Sequence, residues 1–149
     1  MNLSKITASL LTLTTVAALP IAALAQSGNQ TRVSQCNQII AIANAAVRDA
    51  KALTNSTEAS SPETMLRAAN VMESAAVKLE NLSVTDQRLQ GYQSRFVRMY
   101  RQTSRATHNF VTAYNQQNRS EAESALQALQ AATSPEKQLV ADINNYCAR

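Results

Sequence analysis

The chain has 149 residues, with 14 Lys and Arg against 10 Asp and Glu, one His, two Cys and 4% aromatic residues, for a net charge of +4. That is enough chain for one ordinary domain, and the charge excess is too small to argue nucleic-acid binding from the total alone. Only two Gly and three Pro occur while Ala recurs throughout, which leaves little turn material for a sheet and favours helix.

From the N-terminus, Lys5 precedes an uncharged run from Ile6 to Leu19, then Pro20 and the small-residue pattern Ala23-Leu24-Ala25. This is the layout of a secretory signal peptide over residues 1–25, with cleavage after Ala25. A retained anchor is the rival reading, but Thr7, Ser9, Thr12, Thr14 and Thr15 dilute the run below what a spanning helix wants. Cleavage leaves 124 residues, and Lys5 leaves with the leader, so the net charge becomes +3. No transmembrane segment is then expected. Residues 26–33 are polar and read as a disordered segment ahead of a single helical domain over 34–149.

The first helix is predicted from about Ser34, as N-cap, to Leu53. Its apolar positions Cys36, Ile39, Ile40, Ala43, Val47, Ala50 and Leu53 form one buried stripe. After a polar loop over 54–61, Ser61-Pro62-Glu63 supplies a cap, a proline at the first helical position and an acid on the positive helix end. The second helix runs to about Leu82 with Met65, Leu66, Ala69, Met72, Ala76 and Leu79 inward. A tight connection capped by Ser83 or Thr85 leads into a third helix from about Asp86 to Gln117. Its core positions Leu89, Tyr92, Phe96, Met99, Thr103, Ala106, Phe110 and Ala113 step alternately by three and four, a sustained heptad seam. Ser120-Glu121-Ala122-Glu123 fits a capping box that opens a fourth segment, with Ala125, Leu126 and Leu129 inward. Ser134-Pro135-Glu136 is a second start, leading to Leu139, Val140, Ile143 and Tyr146.

In an exported chain an even cysteine pair reads as a disulfide. Cys36 opens the first helix and Cys147 closes the last, and an up-down bundle brings both ends together only with an even number of passes. The last two segments, joined across a kink, also match the length of the third helix. The expected fold is therefore all-α, an up-down-up-down four-helix bundle whose fourth pass is broken near Pro135 and whose termini are joined by Cys36 and Cys147.

Little in the chain points to catalysis. The single histidine, His108, falls opposite the heptad seam. There is no Cys-x-x-Cys-His for haem attachment and no Glu-x-x-His for a di-iron site, and two Cys with one His fall short of the four ligands of structural zinc. Glycine-rich phosphate loops and nucleophile elbows are missing too, and Met65, Met72 and Met99 read as core filler. The expectation is a non-enzymatic protein without cofactor or metal.

The feature that stands out is on the third helix. With Leu89 as heptad position a, Arg88 and Arg95 fall at g, Arg98 and Arg105 at c, and Arg101 and His108 at f, one stripe opposite the core face. No acid occurs between Asp86 and Glu121, so the helix cannot pair these charges internally. The guanidinium fork suits carboxylate and phosphate groups, which makes the five arginines the expected surface for an anionic protein, lipid headgroup or polysaccharide. Nucleic acid is disfavoured by export, few aromatics and low net charge. The plainer alternative is a solvated exterior whose arginines reach Glu73, Glu80 or Glu121 on neighbouring helices.

The run Leu79 to Tyr100, L-x-x-L-x-V-x-D-x-x-L-x-x-Y-Q-x-x-F-x-x-M-Y, resembles small exported all-helical proteins of unknown function found in cyanobacteria. That resemblance implies an envelope protein and carries over no active site. A secreted, disulfide-bonded bundle is also similar to plant invertase and pectin methylesterase inhibitors, whose additional N-terminal hairpin cysteine pair this chain lacks. The function expected is an exported, periplasmic or extracellular interaction protein. The alternatives are a small-ligand or cofactor carrier using the interior near Met72, Met99 and Tyr100, or an enzyme-inhibitor-like bundle.

Overall fold

The computed structural model describes the backbone of residues 22–54 and 61–148, and the side chains over 31–53 and 61–148. The leader expected over 1–25 lies almost wholly outside these residues, and so does most of the loop expected over 54–61. Helices α1 (Ala22–Thr54), α2 (Pro62–Glu80), α3 (Gln87–Asn115), α4 (Arg119–Thr133) and α5 (Glu136–Cys147) follow in order, with no strand among the described residues. Ser134 and Pro135 both keep right-handed helical dihedrals between α4 and α5. The two are therefore one pass, broken where the proline ring removes a backbone donor, and the bundle has four passes.

Helix starts follow local chemistry. Ser61 caps α2, its hydroxyl accepting from the Thr64 amide at 3.2 Å, with Pro62 opening the helix. The cap of α3 is Asp86 rather than Ser83 or Thr85. One of its carboxylate oxygens accepts from the Arg88 and Leu89 amides, both at 2.9 Å, and a full negative charge suits the positive helix end better than a hydroxyl. Asn118, not Ser120, caps α4 by accepting from the Glu121 amide at 3.2 Å, and Gln117 turns the chain just before it with φ 56°. At the break, Ser134 donates its hydroxyl back to the Ala131 carbonyl at 3.0 Å and makes no cap. Ser134-Pro135 is thus a kink and not a fresh start.

The largest departure is at α1. It begins at Ala22, so the backbone over 26–33 is helical rather than disordered, and Ser34 is interior to the helix rather than its cap. Once the packed 34–54 stretch is nucleated, extension costs little, and Ala22, Ala23, Leu24, Ala25 and Gln26 are strong helix formers.

Side-chain pairs show the antiparallel course of α2 and α3: Arg101 reaches Glu80 and Glu73, while His108, farther along α3, meets Asn70, earlier in α2. Helix α1 packs on α2 and α2 on α3. Along α3, α5 lies beside the N-terminal half, where Tyr146 meets Tyr92, and α4 beside the C-terminal half. Cys36 and Cys147 form the disulfide between α1 and the end of α5, 111 positions apart in sequence. Around it Ile39, Leu79, Leu89, Phe96, Leu139 and Ile143 are almost fully buried, each stabilising the fold by about 1.5–3 kcal/mol.

The buried face of α3 is wider than the seam predicts. Tyr100, Ser104 and Val111 are buried, whereas Tyr92, Thr103 and Phe110 are only half-buried. A two-helix seam uses positions a and d alone, but α3 is touched by α2, α4 and α5 and so buries flanking positions as well. One buried polar side chain joins three elements. Gln35 of α1 accepts from the Thr85 and Asp86 amides at 2.8 and 3.1 Å and donates to the Thr85 hydroxyl at 3.0 Å, fixing the α2–α3 connection. Gln93 donates to the Leu79 and Leu82 carbonyls at 2.6 and 2.8 Å, covering acceptors at the C-terminal end of α2.

Candidate functional site

Helix α3 is 29 residues long, about 43 Å at the ordinary rise, and its back is held by the four other helices. Its outer face points away from those helices. From Gln87 to Thr112 every residue at positions f, c and g is exposed except the half-buried Arg101, and none carries a hydrocarbon side chain.

The five expected arginines share this face but divide into three kinds. Arg88, at g, lies over the Tyr146 ring at 5.2 Å, a ring that Arg32 of α1 also approaches at 5.5 Å. Arg95, also at g, pairs with Asp142 of α5 at 3.3 Å. Arg101, at f, donates to both carboxylate oxygens of Glu80 at 3.0 and 2.6 Å and lies 3.6 Å from Glu73, and the hydrogen bond to Glu80 is the chief reason its pKa is raised. Arg98 and Arg105, at c, are exposed, and among the described residues no carboxylate lies within ion-pair distance of either. Glu121 pairs with no arginine among the described residues.

Helix geometry explains the division. Position f leans toward α2 and g toward α5, so their arginines meet acids on those helices, while c points straight out between them. Arg98 and Arg105 are one heptad apart, about 10 Å along the axis. Beside Arg98, a surface groove of about 340 Å³ is lined by Glu80, Gln93, Ser94, Val97 and Arg101.

A second cluster escaped the sequence reading. The Tyr146 hydroxyl donates to Asp86 at 2.8 Å, next to the disulfide, and ties α5 to the first turn of α3. Burial pushes the Asp86 carboxyl up, but the Leu89 amide, the Tyr146 hydroxyl, the Arg88 amide and the Arg32 charge together outweigh it and hold the pKa below its ordinary value. The same bond to Asp86 is the main reason the Tyr146 phenol is raised. The one available signal was Asp86 itself, an acid at a helix start; nothing in sequence marks Tyr146 as its partner.

The residues considered for a carrier pack into the core. Met99 and Tyr100 are 5% and 3% exposed, and Met72 packs half-buried against the same core. The Tyr100 hydroxyl donates to the Ala43 carbonyl at 3.4 Å, and burial raises its pKa strongly. His108 is exposed, with its Nε2 3.3 Å from the Asn70 side-chain oxygen. Among the described residues there is no group of three His, Cys, Asp or Glu side chains placed to hold a metal ion, and no helix is long and apolar enough to cross a membrane. The chain matches no protein-family model, no curated protein and no solved structure.

Proposed function

We propose that this chain is an exported, non-catalytic interaction protein that docks an anionic partner on the outer face of α3. The observation that carries the reading is that Arg98 and Arg105, on the outermost ridge of a long helix, have no carboxylate within ion-pair distance among the described residues. An arginine already bound to carboxylates must give them up to bind a new anion, whereas these two need only lose water. Arg88, Arg95 and Arg101 stand beside them and widen the positive field, although Asp142, Glu73 and Glu80 partly cancel it. Export is supported by the leader-like N-terminal run and by the Cys36–Cys147 bond, which persists in an oxidising compartment such as the periplasm or the extracellular space.

The test is binding of the purified protein to a panel of immobilised anions, comparing wild type with Arg98→Glu/Arg105→Glu. The double variant is expected to lose at least about tenfold in affinity, and Arg95→Gln much less, because Arg95 is already neutralised. Circular dichroism should show the same helix content throughout. Equal binding of wild type and the double variant to every anion would overturn the proposal.

A further inference from the structure

We infer that the partner of this face is an anionic polysaccharide whose acid groups are sugar carboxylates, of the uronate type; this rests on the docking role proposed for Arg98 and Arg105. A protein partner is held mainly by apolar or aromatic anchors in desolvated pockets, and a lipid surface by hydrocarbon side chains that enter it. Positions f, c and g of α3 offer neither, because no hydrocarbon side chain projects from them. What they offer is a continuous polar ridge, about 25 Å from Arg88 to Arg105 at the helical rise, which suits an extended polymer better than a compact ligand.

The chemistry between the arginines points the same way. Ser94, Gln102 and Asn109 are exposed on either side of Arg98 and Arg105, placing hydroxyl and amide groups where sugar hydroxyls need donors and acceptors. Gly91 occupies the same ridge position one heptad before Arg98, and nothing lies within 4 Å of where its Cβ would be. A glycine inside a helix costs about 0.5–1 kcal/mol relative to alanine, and here it leaves the backbone bare for a chain lying flat along the ridge. The acids on the flanks, Asp142 on one side and Glu73 and Glu80 on the other, would repel a polymer with several sulfates per sugar more than one with a single carboxylate per sugar.

The experiment measures affinity at low salt for polygalacturonate oligomers, for poly-glutamate of similar length, for phosphatidylglycerol vesicles and for neutral dextran. Polygalacturonate is expected to bind at least about tenfold more tightly than the other three and to release as salt rises. Arg98→Glu/Arg105→Glu should abolish that binding, Arg98→Gln/Arg105→Gln should weaken it, and Gly91→Gln should weaken it severalfold without any change of charge, all with unchanged helix content. If poly-glutamate or vesicles bind as tightly through Arg98 and Arg105, the polysaccharide assignment falls while anion docking stands. If no anion binds, both fall.

Discussion

Opening the Cys36–Cys147 bond should lower stability by about 5 kcal/mol, acting almost entirely on the unfolded chain. The bond closes a loop with a sequence separation of 111, and loop-closure entropy for that length amounts to about 16 cal/mol/K, or about 4.8 kcal/mol at 25 °C. The folded side changes little. Cys36 is 1% exposed among its neighbours, and α5 stays anchored by Leu139 and Ile143, each 1% exposed, and by the Tyr146–Asp86 hydrogen bond at 2.8 Å. Urea unfolding of the oxidised protein, of the protein in reductant and of Cys36→Ala/Cys147→Ala gives the difference directly. The midpoint should fall and the slope m should rise, because an uncrosslinked unfolded chain exposes more surface. Since whole domains are stable by only about 5–15 kcal/mol, the reduced form sits near the folding threshold at 37 °C. A loss under about 1 kcal/mol with unchanged m would refute the reasoning.

Replacing Asp86 by Ala should cost about 1–2 kcal/mol through the lost cap. Because its folded pKa lies below the ordinary 3.8, Asp86 contributes stability that is fully present above that value and is lost as pH falls through the folded pKa; the urea-midpoint gap between wild type and Asp86→Asn should therefore narrow on acidification, and a gap constant down to low pH would contradict this. Gln35→Ala removes the acceptor of the part-buried Thr85 and Asp86 amide bonds and should cost about 1–3 kcal/mol, with faster hydrogen exchange at those two amides as the local readout. Gly91→Ala should stabilise by about 0.5–1 kcal/mol, since the site is helical, open and without positive φ; a lower urea midpoint would show a crowding that the structure does not contain.

Periodicity and caps carried most of the fold. The step of three and four along Leu89, Phe96, Met99 and Ala106 located α3, Ser61-Pro62 located the start of α2, and the cysteine pair selected an even number of passes. Starts were harder where several capping types stand together: at Ser83, Thr85 and Asp86, and at Asn118 and Ser120, the choice depends on which side chain reaches a free amide after the turn has formed. The N-terminal extension of α1 was missed because residues 26–33 are polar, include the poor helix formers Ser27, Gly28, Asn29 and Thr31, and have no apolar period to betray a helix. On the outer face of α3 the heptad located all five arginines, yet could not say which would find an acid. That depends on which neighbour stands beside f and which beside g: Arg101 and Arg95 are paired, while Arg98 and Arg105 meet no carboxylate among the described residues.

The α1–α5 bond also governs what a protease can accomplish. A single cut anywhere between Cys36 and Cys147, for instance at the exposed Gln117 turn, yields two peptides that remain one molecule through sulfur. The severed halves cannot diffuse apart, so after a cut at Gln117 α3 and α4 can re-dock at the high effective concentration of a tethered chain. Nicking would be visible on a gel only after reduction.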